Sequence, residues 1–422
     1  MNQTMGQLLE LLAISMDTKD NIEITNEVDW ERMNHLAQQH NILPMLYEGI
    51  TKANLENQMD LVMLEKLKIY ARTKCVTQLQ RTMQFLNIYD QLNQEGIEAI
   101  LVKGATLRML YPNPYYRESG DEDIYIKKAD YERVDTILQN NGFLYYKSKR
   151  ASGKLLQEIS YEHGSGLSID VHIDLFDSGI QVYEKMNDLF KHAFEDSMVI
   201  QIEGIKVKTL SYDMHILFLI LHSLKHFVNN GFGIRQVCDI VMYCNHYGNT
   251  INWDLVWNQI KTAKCEEYVF NLFDIGILYL GLKKEKVTMM STLSLHAHSK
   301  SLLIDIMHAG IFGKSDPDQT KSSSLTFQAL VQDRKETNRK KSNINLIRMV
   351  FPNRECMARG YDYCEKSPLL IPVAWMHRLL NYVLRARKQG RNVWKHANRS
   401  FMIGKQRVQL LREYGIIGDH YG

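Results

Sequence analysis

A chain of 422 residues, 45% hydrophobic and 23% charged, can bury more than one core, which excludes a disordered polypeptide and a peptide-sized scaffold. At roughly 100–200 residues per domain, two to four folding units are expected. The net charge of +3 conceals a split, because residues 334–412 hold 19 Lys and Arg against only Glu336, Glu355, Asp362 and Glu365. Such a tail either docks on the acidic remainder or meets an anionic partner: nucleic acid, a phosphorylated substrate or a membrane surface. Six cysteines without a Cys-x-x-Cys pair indicate reduced, structural thiols. No run reaches the roughly 18 apolar residues of a membrane span, and the N-terminus lacks a basic stretch followed by a clean apolar one, so a cytoplasmic protein is expected.

Residues 1–95 read as helices, with apolar residues at three-and-four spacing in QLLELLAIS, in DWERMNHLAQQHNILPMLYEGI and in the long segment that Gly96 closes. The period then changes. Ile97–Val102 is a short apolar strand candidate, followed by Lys103-Gly104 and a helix ATLRMLY that ends before Pro112 and Pro114. Asp123–Ile126 reads as a second strand, and ADYERVDTILQNNG as a helix with Asp130 as candidate N-cap and Gly142 past its end. EISYE and LSIDVHIDLF flank the turn HGSG, and IQIEGIKVKTL turns at Gly204, giving two hairpins. From Tyr212 to about residue 310 the helical period returns. GKSDPDQTKSSS, about 313–324, reads as a linker before a basic tail that contains the amphipathic PLLIPVAWMHRLLNYVLRARKQ.

The residues that carry chemistry are concentrated between Leu101 and Phe176. In an extended strand Asp121 and Asp123 point to one side, roughly 6–7 Å apart. Asp170, from another strand, faces the same place if the strands are neighbours. Clustered carboxylates repel and need a cation, and oxygen ligands favour Mg²⁺ or Mn²⁺ over zinc or copper. A two-metal site of this kind activates a hydroxyl and stabilises a leaving oxygen in an in-line phosphoryl or nucleotidyl displacement. Lys103-Gly104, at a strand-to-helix turn, offers an ammonium and backbone N–H groups to a triphosphate. His172 shares a strand face with Asp170, where it orients that carboxylate or meets a phosphate, and Arg117 can grip a phosphate bidentately.

These segments resemble the bacterial uncharacterised nucleotidyltransferase family of the DNA polymerase beta-type nucleotidyltransferase superfamily. The similarity rests on Leu101–Gly104, on Arg117–Asp123 with its Arg-x-x-Gly-Asp-x-Asp pattern, and on Asp170–His172, supported by LHSLKH, IRQVCDI and VFPNRECMARGY downstream. It implies that Asp121, Asp123 and Asp170 hold Mg²⁺ or Mn²⁺, that Asp170 activates an acceptor hydroxyl, that Lys103 and Gly104 hold phosphates, and that Lys225, His226, Arg235 and Asp239 line the nucleotide or acceptor cleft. The chain departs from the family pattern in Gly104-Ala105, where a second Gly or a Ser is usual, and in Glu122, where an apolar residue is expected.

The fold implied is α+β: a small mixed-sheet, polymerase-beta-like core over 96–210, an N-terminal helical region over 1–95, a helical domain over 211–312 and a linker with a basic helical region over 313–422. The activity implied is Mg²⁺-dependent transfer of a nucleoside monophosphate from a nucleoside triphosphate to a small molecule, sugar, peptide or protein, with release of pyrophosphate. The alternative is a degenerate nucleotide-sensing or scaffold protein that binds an anionic partner, nucleic acid included, through 334–412. His222 and His226, with His215 two turns earlier, have zinc-compatible spacing, but no acid on that helix completes a site.

Overall fold

The computed structural model describes residues 2–20, 27–145, 150–151, 154–155, 157–177, 185–229, 231–288, 299–310, 363–388 and 393–417, with isolated positions between 322 and 361. Most of the expected linker at 313–324 and most of VFPNRECMARGY lie outside the described residues.

Four helices open the chain: α1 (Gln3–Ser15), α2 (Trp30–Gln39), α3 (Leu43–Lys52) and α4 (Leu61–Gln94). Asn2, Asp29 and Asp60 cap the first, second and fourth, each side chain accepting a backbone N–H three residues on. The stretch DWERMNHLAQQHNILPM reads as one periodic run, yet it breaks into α2 and α3. Asn41 takes a left-handed φ of 49° and Pro44 starts the new helix at its first turn, where a missing N–H costs nothing.

The central sheet has seven strands in the order β3-β6-β7-β2-β1-β9-β8. They are β1 (Ala99–Leu101), β2 (Asp121–Ile126), β3 (Leu144–Tyr145), β6 (Glu158–Glu162), β7 (Ser168–His172), β8 (Met198–Ile202) and β9 (Ile205–Thr209), while β4 (Arg150–Ala151) and β5 (Lys154–Leu155) pair separately. The sheet is mixed, since β2 runs parallel to β7 and β1 parallel to β9, while the other pairs are antiparallel. Both expected hairpins form, with left-handed Gly166 closing one and Glu203-Gly204 closing the other. The helix after Gly104, α5 (Ala105–Arg108), is shorter than its sequence suggests. Asp130 does not cap α6 (Tyr131–Asn140): it ends a 3-10 turn in helical conformation, and its carboxylate lies 3.3 Å from Arg133 instead.

Five helices follow: α7 (Tyr212–Asn229), α8 (Ile234–Tyr247), α9 (Trp253–Ala263), α10 (Glu266–Tyr279) and α11 (Ser299–Ala309); then come α12 (Ile371–Lys388) and α13 (Val393–Glu413). One face of the sheet packs Ile124, Ile126, Ile169 and Val171 against Phe85, Tyr89 and Leu92 of α4 and Val134 and Leu138 of α6. Ile100 and Val102 belong to a second, larger core built from α1–α3 and α7–α11. The sheet is therefore covered on both sides, and the chemistry-bearing residues lie between its second face and α7 and α8.

Candidate active site

Side-chain alternation along β2 sends Glu122, Ile124 and Ile126 toward α4 and α6, and Asp121, Asp123 and Tyr125 to the opposite face. In the parallel neighbour β7, Asp170 stands opposite Asp123 and His172 opposite Tyr125. Asp121, Asp123, Asp170 and His172 thus emerge on one face from two adjacent strands, whose backbones lie about 4.8 Å apart. The same register that buries Ile169 and Val171 fixes this arrangement, because a one-residue slip would invert every side chain.

Lys103 Nζ lies 3.1 Å from Asp123 Oδ2, and His172 Nε2 lies 3.0 Å from Asp123 Oδ1. Burial alone would raise the Asp123 carboxyl, but the Lys103 ammonium and the His172 hydrogen bond outweigh it and hold the group well below the usual carboxylate range. Asp170 has no such cation. Burial first, then the charges of Asp123, Asp121 and Glu158, push its carboxyl up to about 7. Its Oδ1 is buried without a hydrogen-bond partner, and Asp123 Oδ2 meets Lys103 without a well-aligned hydrogen bond. Among the described residues, no three His, Cys, Asp or Glu side chains stand arranged to hold a metal ion, and Lys103 supplies the local positive charge. The donors themselves, three carboxylates with two under-satisfied buried oxygens, suit a hard divalent cation.

The turn before α5 is built around Gly104, at φ 69° and ψ −116°. A Cβ there would lie 1.8 Å from Glu122 Oε2, so both conformation and space require glycine. Glu122, buried beneath the turn, accepts the Ala105 N–H at 2.7 Å through Oε2 and pairs with Arg108 Nη2 at 2.6 Å through Oε1. Arg108, fully buried, also donates to Thr82 Oγ1 and Ser119 Oγ, each at 2.6 Å. Glu122 therefore has the partners its burial demands. The Ala105 N–H, at the start of α5, is thus spent on Glu122.

Arg117 is locked by Asp239, with Nε to Oδ1 at 2.6 Å and Nη2 to Oδ2 at 2.7 Å, and Tyr111 donates to the same Oδ1 at 2.7 Å. Both Asp239 oxygens are thus occupied, so Asp239 holds an arginine instead of presenting itself to a ligand. The third guanidinium nitrogen of Arg117, Nη1, is buried without a partner, as is Nε of Arg235, whose Nη1 donates to the Glu118 carbonyl. His222 and His226 touch through their Nε2 atoms at 3.2 Å, and burial together with the Lys103 charge keeps both neutral, His226 lowered to about 3. His215 is apart from them, hydrogen-bonded to Thr209 and packed on Tyr243, as a core histidine.

Lys103, Gly104, Arg117, Asp121, Asp123, His226 and Asp239 line one cleft, and Asp170 and His172 stand on the strand next to that of Asp121 and Asp123. His222, Arg235, Ser119 and Gln236 line it too. Ser119 and Gln236 carry no sequence signal. Arg108 and Tyr111 read only as residues of a short helix, and their roles become visible once Glu122 and Asp239 are seen to need partners.

The family described as "Uncharacterised nucleotidyltransferase" matches residues 26–277. No curated protein is significantly similar to the chain in sequence. A solved structure described as an antigenic nucleotidyltransferase-like protein from Paracoccidioides brasiliensis is 15% identical, over 45% of this chain and 90% of that one, with a TM-score of 0.26.

Proposed function

The chain belongs to the uncharacterised nucleotidyltransferase family, and on that premise we propose that it moves a nucleoside monophosphate from a nucleoside triphosphate to an acceptor hydroxyl, releasing pyrophosphate. The observation that carries this reading is the convergence of Asp121, Asp123 and Asp170 on one sheet face beside the Lys103-Gly104 turn.

In the proposed reaction Asp121, Asp123 and Asp170 hold Mg²⁺ or Mn²⁺. When bound, such an ion supplies Lewis-acid polarisation of the α-phosphate and charge neutralisation of the leaving pyrophosphate. Asp170 accepts the proton of the acceptor hydroxyl as general base. The acceptor oxygen forms its bond to the α-phosphorus as the bond to the bridging oxygen breaks, and pyrophosphate leaves with that electron pair. Lys103 exchanges Asp123 for a phosphate oxygen when carboxylate charge is neutralised by other means. Arg117 and Arg235 contribute their unpartnered N–H groups to the distal phosphates, with Asp239 keeping Arg117 aimed. His172 fixes the rotamer of Asp123 through its hydrogen bond.

One observation favours the alternative, a nucleotide-binding protein without turnover: Asp123 is already engaged by both Lys103 and His172. Incubation of the protein with Mg²⁺, a cell extract as acceptor source and ATP, GTP, CTP or UTP labelled at either the α- or the γ-phosphorus separates the two. Nucleotidyl transfer predicts that α-label moves to a product, that γ-label leaves as pyrophosphate, and that Asp121→Ala and Asp123→Ala abolish both. Tight binding of the triphosphate with no release of pyrophosphate in any extract supports the alternative.

A further inference from the structure

Helix α12 is apolar on two sides, and among the described residues only one of them is covered. On the inner side Ala374 is fully buried in a small core with Met357 and Cys364, against which Tyr361, Tyr363 and Trp375 pack. Trp375 anchors this side, donating from Nε1 to the Pro352 carbonyl at 2.9 Å and meeting the Phe351 ring edge-on. On the outer side Val373, Met376, Leu380 and Leu384 are 53%, 65%, 59% and 55% exposed, and Leu369 in the preceding turn is 87% exposed. Spacings of three and four residues place those four helical positions in one stripe, about 16 Å long at the rise of an α-helix. The helix has already met its packing requirement through Ala374 and Trp375, so the outer stripe is a second apolar surface and not a displaced core face.

The charge carried by α12 itself has one sign: it contains Arg378, Arg385, Arg387 and Lys388 and no Asp or Glu. A partner helix zipped along an apolar seam is ordinarily flanked by charges of both signs, which set its register. Nucleic acid would use the basic residues but has no use for five solvent-facing aliphatic side chains. An anionic lipid surface takes both features at once: the stripe enters the boundary between headgroups and acyl chains, while Lys and Arg lie among phosphate headgroups. No described helix is long and apolar enough to cross a membrane, so the contact is with the surface.

We propose that α12 is an interfacial helix that docks this protein on membranes rich in anionic phospholipid, with the stripe Leu369, Val373, Met376, Leu380 and Leu384 facing the bilayer. This inference is independent of the reaction at the cleft. Sedimentation of the full chain with phosphatidylglycerol–phosphatidylcholine vesicles and with phosphatidylcholine vesicles tests it. Binding is expected to the first and to be far weaker to the second, and added NaCl should reduce it. Met376→Gln combined with Leu380→Gln should weaken it by roughly tenfold or more, as expected from withdrawing two aliphatic side chains from the interface. Val62→Gln, at an equally exposed position on α4, should leave it unchanged, as should the melting temperature of the double variant. Absence of vesicle binding overturns the proposal. So does binding that the double variant retains in full, a dimer that this variant dissociates in the absence of vesicle binding, or RNA binding in the absence of vesicle binding.

Discussion

Glu122 and Gly104 are best understood as one unit. The carboxylate fills the space a Cβ at Gly104 would need, captures the Ala105 N–H and is neutralised by Arg108, so the turn that carries Lys103 into the cleft is held from below by a buried ion pair. Gly104→Ala should therefore displace Lys103 and Glu122 together and abolish nucleotide binding, as titration calorimetry with a non-hydrolysable triphosphate would detect. Arg108→Met removes one member of a pair whose side chains are 0% and 1% exposed and leaves a buried carboxylate without a counter-charge. The expected loss is about 3–5 kcal/mol of stability, measurable by urea denaturation, and a loss below about 1 kcal/mol would contradict this account. The sequence alone shows Glu122 as an anomaly, because its partner is fixed by a one-turn helix doubling back beneath β2, a long-range contact that no spacing rule encodes. Asp121, Asp123 and Asp170 are legible because a period of two puts them on one face as soon as both segments are read as strands.

His40, at the end of α2, joins three elements that sequence reading keeps apart. Its Nδ1 accepts the Ile234 N–H that opens α8, and its Nε2–H donates to the Met307 carbonyl in α11, both at 3.2 Å. The two neighbours fix the tautomer, and burial lowers its pKa to about 4, the Met307 carbonyl opposing only in part. An unfolded histidine titrates near 6.5, so between about pH 6.5 and 4 the unfolded chain binds more protons than the folded one. The contribution of neutral His40 is thus fully present above about pH 6.5 and is lost progressively as the pH falls toward 4, amounting to about 3 kcal/mol. His215, also lowered to about 4 by burial, acts in the same direction. His40→Gln should be less stable at pH 7 but lose less stability than the wild type between pH 7 and 4.5, as thermal melts across that range would show. Parallel pH profiles for the two proteins would refute the assignment. Elements governed by local signals, such as the hairpins closed by Gly166 and Gly204, were readable in advance. The breaks at Asn41 and after Arg108 were not, because the hydrophobic period runs on through both.

The molecule places a mixed sheet between two cores and leaves its charged face toward α7 and α8, whose His222, His226, Arg235 and Asp239 complete the cleft. That arrangement explains why a family match over residues 26–277 extends well beyond the strands: the downstream helices supply half of the cleft wall. It also concentrates neutral histidines and paired arginines around a region of negative charge, an environment suited to a polyanion accompanied by metal ions. On the proposed reading, the three aspartates gather divalent cations and release Lys103 to the phosphates. Anomalous diffraction from crystals grown with Mn²⁺ and a non-hydrolysable nucleoside triphosphate tests it most directly. Manganese peaks should be ligated by Asp121 and Asp123, with Lys103 moved from Asp123 onto the triphosphate. A bound nucleotide with no manganese at these carboxylates, and Lys103 still on Asp123, would contradict it.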